Sequence, residues 1–311
     1  MYKIFIDGKE GTTGLRIFER IGQRSDIELI TLPEELRKDT AARAEALNSC
    51  DIAFLCLPDA AAIEAVSLIE NPDVRVIDAS TAHRTNPGWA YGFPELSDTH
   101  RAAVANARRV SVPGCHASGF ISLVAPLVAA GIIDTDARLN CHSLTGYSGG
   151  GKKMIAAYGD ENRPADYEAP RQYALGQTHK HLPEMAVRSG LSYAPVFCPI
   201  VSDFYSGMMV TVGLFADQIN CVGMERIVEV YKRVYSGGLV KYVEPSEFAP
   251  DGFISAASMS GIDRMEVTVT GSDERVLLMS RFDNLGKGAS GAAVQCMNVM
   301  LGLDEATGLT L

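Results

Sequence analysis

The first third of the chain alternates short apolar runs with helix-like segments, and this order restricts the fold more than any other feature. The runs "YKIFID", "IELITL", "DIAFLCLP" and "VRVIDAS" are rich in aliphatic residues, and "LRIFERIG", "TAARAEALNS" and "AAAIEAVSLIE" between them have helical character. Strands that alternate with helices and are apolar along nearly their whole length are typical of a parallel sheet covered on both faces. The sequence therefore predicts an α/β domain at the N-terminus.

The pattern changes after about residue 117. The segments "PVFCPIVSDFYSGMMVTVGLF" and "EVTVTGSDERVLLMSRFDN" alternate apolar and polar residues, which is typical of antiparallel strands with one covered face. The final "GKGASGAAVQCMNVMLGL" has helical spacing, and we expect it to return to the first domain. A chain of 311 residues is long enough for two domains. We predict a first domain of residues 1–116 plus 288–311, and an α+β domain of residues 117–287 with a mixed or antiparallel sheet.

Charge and hydropathy disfavour several classes of protein. The formal net charge of -10 argues against a nucleic-acid surface but allows a local basic pocket for a small anion. The N-terminus lacks the pattern of a secretory signal, and no apolar run reaches the length of a membrane span. The seven cysteines are irregularly spaced, as expected of free thiols in a reducing compartment. We therefore expect a cytoplasmic protein that binds neither nucleic acid nor a membrane.

A glycine-rich segment lies between the first predicted strand and the first predicted helix. Gly8, Gly11 and Gly14 are spaced G-x-x-G-x-x-G, a variant of the dinucleotide fingerprint, in which glycines let the backbone approach a pyrophosphate at a helix N-terminus. A tight turn without a ligand is the alternative. We favour a cofactor because the loop opens a βαβ run, as it does in a Rossmann-type domain.

The end of the second predicted strand bears on the choice of cofactor. An acidic residue about 20 positions after the glycine loop commonly binds the adenosine ribose of NAD. This chain has Thr31 and Leu32 there, followed by Arg37 and Lys38. The lack of an acid at the strand end, with cations nearby, favours NADP, because a carboxylate would repel its 2′-phosphate. A cluster of solvated surface charges is the alternative for Arg37 and Lys38.

The stretch "SVPGCHASG" places Cys115 just after a proline-glycine turn and just before a long apolar segment. If that segment is a helix, the thiol lies at its N-terminus, where the dipole and the free backbone amides lower a thiol pKa. A thiolate there is a candidate nucleophile. The alternatives are a metal ligand and a buried thiol. We expect buried thiols at the remaining cysteines, which are Cys50, Cys56, Cys141, Cys198, Cys221 and Cys296.

Three histidines are candidates for proton transfer with that thiolate, namely His116, His179 and His181. His179 and His181 are one residue apart and would point in opposite directions on a strand, which disfavours a metal site, and we expect no metal. A thiolate, a nicotinamide cofactor and a histidine together suit the reduction of an acyl phosphate through a thioester. Cations that could hold the phosphate are Lys152, Lys153 and Lys180.

Several blocks that occur along nearly the whole chain resemble one family. They are "DASTAHR", "YGFPEL", "PGCHASG", "GYSGGGKK", "HKHLPEM" and "DNLGKGASGAAVQ". These blocks are similar to those of the N-acetyl-gamma-glutamyl-phosphate reductases of arginine biosynthesis, particularly the shorter form. The resemblance implies NADPH-dependent reduction of N-acetyl-L-glutamyl 5-phosphate to N-acetyl-L-glutamate 5-semialdehyde and phosphate. It also implies a Rossmann-type NADP-binding domain and a second domain for catalysis and dimerisation.

The same resemblance implies roles for individual residues. Cys115 is the expected nucleophile and His179 the expected acid/base histidine, with His181 and Glu184 near the substrate. A carboxylate that supports a helix start is an equal alternative for Glu184. The expected substrate-side loop, a flexible glycine run able to close over an anion, contains Ser148, Gly149, Lys152 and Lys153. The residues expected at the cofactor are Gly8, Gly11, Thr12, Thr13, Gly14, Arg37, Ser80, Ser118, Gly119, Asn284, Lys287 and Gly288.

Other interpretations stay open at this point. Longer relatives have P-G-C-Y-P-T where this chain has P-G-C-H-A-S, which leaves the role of His116 open. Aspartate-semialdehyde dehydrogenases share the fold, the cysteine and the histidine, and a lysine-pathway counterpart would favour a more basic surface. From a different class, a non-catalytic NADP-binding redox sensor needs the glycine loop but not the H-K-H-L-P-E segment. We expect a homodimer or homotetramer that acts on a small acyl phosphate.

Overall fold

The computed structural model describes residues 1–220 and 223–311 and divides into two compact units. The first unit comprises Met1–Pro94, Asp98–Pro113 and Ala289–Leu309. The second comprises Glu95–Ser97, Gly114–Gly288 and Thr310–Leu311. Cys221, one of the expected buried thiols, lies outside the described residues, and the domain boundaries expected from the sequence stay a prediction.

Helices occur along the whole described chain, and none of those within residues 1–220 and 223–311 is long and apolar enough to cross a membrane. Two short helical turns, Tyr147–Gly150 and Gly286–Ser290, directly precede the helices that begin at Gly151 and Gly291. The α-helices are α1 Thr12–Ile21, α2 Thr40–Ser49, α3 Asp59–Ser67, α4 Asp98–Asn106, α5 Cys115–Ala129, α6 Gly151–Gly159, α7 Leu182–Ser189, α8 Glu225–Val234, α9 Pro245–Phe248 and α10 Gly291–Leu301.

The first unit contains a parallel sheet of six strands. The strands are β1 Tyr2–Asp7, β2 Ile27–Ile30, β3 Ile52–Leu55, β4 Arg75–Asp78, β5 Ala90–Tyr91 and β6 Arg109–Ser111. They lie in the order β2-β1-β3-β4-β6-β5. The strands and helices predicted from the alternating pattern are confirmed. The helix α10 belongs to this unit.

Both faces of this sheet are covered, which explains why its strands read as continuously apolar. In β1, Ile4 and Ile6 pack in one hydrophobic cluster with Ile17 of α1 and with residues of α10. Phe5 between them packs in a second cluster with Leu47 of α2. Successive side chains point to opposite faces, so every position of a doubly covered strand favours an apolar residue.

The second unit contains a mixed sheet of eight strands. They are β7 Asn140–Gly146, β8 Arg171–Gln172, β9 Val196–Ser202, β10 Met208–Phe215, β11 Ser236–Gly237, β12 Val240–Tyr242, β13 Met265–Gly271 and β14 Arg275–Phe282. Their order is β11-β12-β13-β14-β10-β7-β9-β8. β9 alternates more exposed and buried positions along most of its length, and it pairs in parallel with β7 and antiparallel with the short β8. Its alternation therefore reports one covered face and not the direction of its partners.

The helix α5 covers this sheet, and its packing explains one glycine. A Cβ added to Gly119 would lie 2.4 Å from Val210 Cγ2, so only glycine lets α5 approach β10 this closely. The hydroxyls of Tyr231 in α8 and of Tyr235, which directly follows α8, donate hydrogen bonds of 2.7 and 2.6 Å to backbone carbonyls of α5. These contacts fix the axis of the helix that begins at Cys115.

Candidate active site

The glycine loop of the first unit is a tight turn that requires glycine at two positions. Gly8 has φ +85, and a Cβ there would lie 2.4 Å from the carbonyl oxygen of Cys56. A Cβ at Gly14 would lie 2.5 Å from the carbonyl oxygen of Gly8. Gly11 is the N-cap of α1, whose first turn contains Thr12 and Thr13. The loop therefore presents backbone amides at a helix N-terminus without side chains above them.

The strand order places a ligand cavity beside this loop. The order β2-β1-β3 reverses direction at β1, and ligands of open α/β sheets bind at the carboxyl ends of the strands at such a switch point. A cavity of about 900 Å³ opens there, lined by residues that include Gly8, Gly11, Leu29, Leu57 and Arg37. Its bare backbone suits a pyrophosphate and its apolar walls suit an adenine ring, so the residues present fit a dinucleotide.

Arg37 lies in this cavity between two carboxylates. Its guanidinium forms ion pairs of 2.8 Å with Glu10 and of 2.8 Å with Glu34. The side chains of Glu10 and Glu34 are 62% and 88% exposed, so each pair contributes about 1 kcal/mol or less. Arg37 is therefore oriented in the cavity by weak contacts that an incoming phosphate can replace.

Ser80, another residue expected at the cofactor, is tied to a buried carboxylate. Its hydroxyl donates a hydrogen bond of 2.7 Å to Asp78, the last residue of β4, and Asp78 also contacts His83 Nδ1 at 2.7 Å. The His83 ring stacks on Trp89 with the centroids 4.0 Å apart. His83 is thus a buried histidine with a hydrogen-bond partner, and the cofactor contact of Ser80 stays a prediction.

Cys115 is the first residue of α5, and the backbone around it is held by a carboxylate. The N-cap Gly114 has no side chain, and its amide donates a hydrogen bond of 2.9 Å to Glu184 Oε1. Glu184 is 1% exposed, so its carboxylate is committed to the backbone next to Cys115. Glu184, in the first turn of α7, thus contacts the start of a different helix, α5, and its expected position near the substrate stays a prediction. Ser118 is buried in the next turn, where its hydroxyl donates to the Gly114 carbonyl at 3.1 Å.

His116 joins two distant segments through both ring nitrogens. Its Nδ1 lies 2.7 Å from Ser143 Oγ on β7, and its Nε2 lies 2.7 Å from the hydroxyl of Tyr173, which follows β8. Burial, with a smaller effect of His179, lowers the pKa of His116 to about 3. The ring is therefore neutral at physiological pH, with one nitrogen as donor and the other as acceptor.

His179 and His181 lie together, and the expectation that they point in opposite directions was wrong. Their segment is a turn into α7 and not a strand, because the Leu182 amide donates to the His179 carbonyl at 3.0 Å. The His181 amide donates to His179 Nδ1 at 3.2 Å, and the two ring centroids are 4.7 Å apart. The His116 ring lies 5.7 Å from His179 and 5.6 Å from His181. The turn thus assembles three histidines beside the start of α5.

These rings do not make a metal centre. Within the described residues, no group of three or more histidine, cysteine or acidic side chains is arranged to hold a metal ion. His116 has both nitrogens engaged with hydroxyls, and His179 Nδ1 accepts a hydrogen bond from a backbone amide. The arrangement suits hydrogen bonding and proton transfer.

The segment expected as a substrate-side loop is largely helical in the structure. It forms the turn Tyr147–Gly150 and then α6, which contains the exposed Lys152 and Lys153. The buried Ser148 accepts a hydrogen bond of 3.0 Å from Asn284 Nδ2, and a Cβ at Gly149 would lie 3.4 Å from the same atom. Residues expected at the substrate and at the cofactor thus meet here.

Lys287 and Gly288 follow Asn284 closely in the chain, and the amine of Lys287 forms an ion pair with a glutamate. Lys287 Nζ forms a buried ion pair of 2.7 Å with Glu95, with 2% and 3% of the two side chains exposed. A Cβ at Gly288 would lie 3.0 Å from Cys115 Cβ, so a larger residue at this position would displace the Cys115 side chain. The expected cofactor contacts of both residues stay predictions.

Sequence reasoning missed Tyr173, Ser143 and Glu95, which the structure places in these contacts. Glu95 falls in the quoted "YGFPEL" block, so the resemblance offered a signal for it. Tyr173 and Ser143 lie 57 and 27 residues from His116, and no local spacing rule connects them. Only the three-dimensional fold reveals that pair.

Two family models match the chain, one in each part. The semialdehyde dehydrogenase NAD-binding domain matches residues 19–104. The semialdehyde dehydrogenase dimerisation domain matches residues 115–284. The chain thus carries the nucleotide-binding domain and the dimerisation domain of semialdehyde dehydrogenases.

Similar proteins match over nearly the whole length. N-acetyl-gamma-glutamyl-phosphate reductase 2 of Nostoc sp. is 44% identical and covers 99% of this chain and 99% of its own length. The N-acetyl-gamma-glutamyl-phosphate reductase of Brucella ovis is 45% identical, over 96% of this chain and 99% of its own. The enzyme of that name from Burkholderia ambifaria is 44% identical, over 97% of each.

Solved structures share the fold at low sequence identity. Aspartate semialdehyde dehydrogenase II of Vibrio cholerae, complexed with ASA, has a TM-score of 0.71 at 15% identity, over 97% of this chain and 98% of that one. Aspartate semialdehyde dehydrogenase of Candida albicans with NADP has a TM-score of 0.67 at 13% identity, with the same coverage. The expected fold class, a nucleotide-binding α/β domain with a second mixed-sheet domain, is confirmed.

Proposed function

Because the chain belongs to the N-acetyl-gamma-glutamyl-phosphate reductases within the semialdehyde dehydrogenases, we propose that it reduces N-acetyl-L-glutamyl 5-phosphate to N-acetyl-L-glutamate 5-semialdehyde and phosphate, with NADPH, in arginine biosynthesis. The observation that carries this proposal is the position of Cys115 at the start of α5, next to three assembled histidines. A thiol at a helix N-terminus with imidazoles nearby suits acyl transfer to sulfur.

In the proposed mechanism the chain performs an acyl transfer followed by a reduction. The Cys115 thiolate attacks the acyl carbon, the bond from that carbon to phosphate oxygen breaks, and phosphate leaves with the electron pair. The product on the enzyme is a thioester of Cys115. When bound, the nicotinamide cofactor supplies the hydride that reduces this thioester. Return of the sulfur as thiolate then releases the aldehyde.

The hydrogen bond at His179 favours one of its two expected roles. Because His179 Nδ1 accepts the His181 amide, the proton of the neutral ring lies on Nε2. Nε2–H is a donor and cannot at the same time take a proton from the thiol. We therefore propose that the Nε2–H of His179 donates a hydrogen bond to the oxygen of the tetrahedral intermediate, and that the backbone amide of His181 orients the His179 ring.

The proposal of NADP over NAD is supported by the cations of the cavity in the first unit. Lys9, Arg37 and Lys38 all line it, and β2 ends at Ile30 without an acidic residue. We expect Arg37→Ala to raise the KM for NADPH ~10-fold, because a charge-assisted hydrogen bond to the 2′-phosphate is lost, while the KM for NADH changes little. Steady-state kinetics with both cofactors measure this, with the exposed Arg275→Ala as the control. Equal effects on both cofactors would remove Arg37 from the 2′-phosphate site.

We also propose that the protein acts as a homodimer or homotetramer in the cytoplasm. The matched dimerisation domain supports self-association. The mixed sheet carries exposed apolar side chains, with Val196 60%, Phe215 63% and Leu277 40% exposed. Burial of such side chains against a second copy removes apolar surface from water. Sedimentation equilibrium of the purified chain measures the state directly.

The first experiment is the reverse reaction with two substrates in parallel. The purified protein is given NADP⁺, phosphate and either N-acetylglutamate semialdehyde or aspartate semialdehyde, and the absorbance of NADPH is followed. Turnover with the N-acetylated substrate alone supports the proposal. Turnover with aspartate semialdehyde alone keeps the mechanism and changes the substrate. No turnover with either, combined with stoichiometric oxidation of one thiol, would favour a redox sensor.

A further inference from the structure

The segment that leads from β8 to His179 contains a turn with an uncommon backbone. The Tyr173 amide donates to the Pro199 carbonyl at 3.1 Å, which continues the ladder of β8 and β9 by one residue. The chain then turns, and the Gln177 amide donates to the Ala174 carbonyl at 3.0 Å. Ala174 has φ +53 and Gln177 has φ +54, a left-handed conformation that is uncommon for residues with a side chain. Such a backbone persists where contacts with the surrounding structure hold it.

The side chain of Gln177 supplies such contacts through two hydrogen bonds to one residue of β9. Its Oε1 accepts the Phe197 amide at 2.8 Å, and its Nε2 donates to the Phe197 carbonyl at 2.7 Å. The backbone groups of a strand point to alternate sides, so those of Phe197 face the same side as those of Pro199, beyond the end of β8. The carboxamide therefore occupies the place that a further residue of β8 would take.

Phe197 connects this contact to the histidines. Its side chain is fully buried, and its ring centroid lies 5.2 Å from that of His179 and 5.2 Å from that of His116, edge-on to both. The His116 ring is bonded at both nitrogens, so Phe197 packs against one fixed imidazole and against His179. A close-packed ring limits the rotation of its neighbours. Gln177 thus acts on His179 through Phe197 and through the two peptide bonds that separate them in the chain.

We propose that Gln177 is a positioning residue for His179: its carboxamide clamps the turn after β8 onto β9 and so holds the His179 ring where Nδ1 accepts the His181 amide. The inference rests on the proposed function in taking His179 as the hydrogen-bond donor to the tetrahedral intermediate. A donor that is oriented before the substrate binds needs no reorganisation as the oxyanion forms. The clamp therefore contributes to the rate of the chemical step and not to substrate binding.

Two variants separate the clamp from the backbone strain. Gln177→Gly removes the carboxamide and accepts the left-handed φ, whereas Gln177→Ala removes the carboxamide and keeps the strain. Gln177 is exposed as a residue, so neither change opens the core. The matched control is Gln218→Ala, because the Gln218 carboxamide also bridges backbone groups, accepting the Phe215 amide at 2.9 Å and donating to the Arg138 carbonyl at 3.2 Å.

The first test measures the His179 ring without any substrate. The full-length protein is treated with diethyl pyrocarbonate at neutral pH, and modification of His179 over time is quantified by mass spectrometry, with the exposed His142 as internal reference. Trypsin cleaves after Lys180 and so separates His179 from His181. The reagent acylates the unprotonated nitrogen of a neutral imidazole, which in His179 is Nδ1, bonded to the His181 amide.

We expect the modification rate of His179 to rise ~10-fold in Gln177→Gly, because the loosened ring no longer keeps Nδ1 on the amide. The rate should stay at the wild-type value in Gln218→Ala. A carboxamide that only satisfied the open edge of β9 would leave the His179 rate unchanged, and that result in Gln177→Gly would overturn the proposal.

Turnover provides a second readout. We expect kcat to fall ~10-fold in Gln177→Gly and at least as far in Gln177→Ala, with the KM for the acyl substrate within a factor of about two. In a His179→Asn background, Gln177→Gly should lower kcat no further, because the group that the clamp positions is gone. An equal loss of kcat in both backgrounds would show that Gln177 does not act through His179 and would overturn the proposal.

The two readouts distinguish failure of the clamp from failure of the proposed function. If the wild-type protein turns over no acyl substrate, the proposed function fails, while the diethyl pyrocarbonate rates still decide the clamp. Should Gln177→Gly not fold, Gln177→Glu carries the same expectations, since it keeps an acceptor for the Phe197 amide but loses the donor to the Phe197 carbonyl.

Discussion

The cavity of the first unit and the histidine cluster of the second are built in opposite ways. The cavity depends on backbone at its glycine loop, where the tight turn requires Gly8 and Gly14, and several of the charged side chains that line it, such as Glu10 and Glu34, are exposed. The cluster depends on side chains from distant parts of the chain, and members such as His116 and Glu184 are buried and bonded on fixed atoms. A cofactor that is bound and released suits the first construction. Chemistry that needs one geometry suits the second.

The largest effect is expected at the nucleophile, and it separates the two regions. Cys115→Ser should lower kcat by ~10³-fold or more, since the serine hydroxyl is not ionised as a thiolate is. The Kd of NADPH, measured by fluorescence titration, should stay within a factor of about two, because the cavity lies in the other unit. Loss of both catalysis and NADPH binding would contradict the assignment of Cys115 as nucleophile.

A change in the glycine loop should have the opposite effect: NADPH binding is weakened while the reactivity of Cys115 is kept. Gly8→Ala places a Cβ 2.4 Å from a carbonyl oxygen at φ +85, so the turn must shift and NADPH binding should weaken by ~10²-fold. Alkylation of Cys115 by iodoacetamide should keep its wild-type rate. The control is Gly131→Ala, which has φ +69 but no atom within 4 Å of the added Cβ, and so tests backbone strain alone. An unchanged Kd in Gly8→Ala would mean that the loop does not contact the cofactor.

A smaller effect is expected at the proton donor. His179→Asn should lower kcat by ~10²-fold, the usual effect of removing one hydrogen-bond donor to a developing oxyanion, with the KM for the acyl substrate within a factor of about three. Steady-state kinetics in the reductive direction measure both. If turnover stays near the wild-type rate, His181 becomes the better candidate for proton transfer.

The smallest effect is a pH dependence of stability that only the buried cluster should show. His116 has a pKa of about 3 in the folded protein, against about 6.5 when unfolded. Below about pH 6.5 the unfolded chain binds a proton that the folded chain does not, so stability falls as the pH falls, by at most ~1.4 kcal/mol per pH unit. His116→Gln cannot titrate and should flatten this slope in urea unfolding at pH 7 and pH 5.5. His179, His181 and Tyr173 face the ring in both proteins, so an unchanged slope would show that groups other than His116 cause the dependence.

The first unit was predictable because its signals are local. Each strand and helix is one continuous segment with its own periodicity, and the loop at Gly8 follows β1 directly in the sequence. Strand direction was harder to predict in the second unit. The alternation in β9 reflects its one covered face, and it does not reveal that the strand pairs in parallel with β7. Periodicity reports burial, and pairing depends on residues far away in the chain.

The residues of the candidate site could be named from the sequence, but the contacts between their side chains could not. Cys115 and His179 stood out by residue type and by resemblance to a family. The turn that brings His179 onto His181 was missed, because spacing alone does not distinguish a strand from a turn. The contact between His116 and Tyr173 spans 57 residues, and the burial that keeps His116 neutral arises only in the folded chain.

The division of the chain into units has a consequence for its synthesis on the ribosome. The hydrophobic core of the first unit includes Val294 and Met297 of α10, although the sheet they cover begins at residue 2. The strands of this sheet are therefore translated long before the helix that completes their core, which stays open until α10 is made. A prematurely terminated chain exposes that apolar sheet face, which makes it a target for chaperones and proteases.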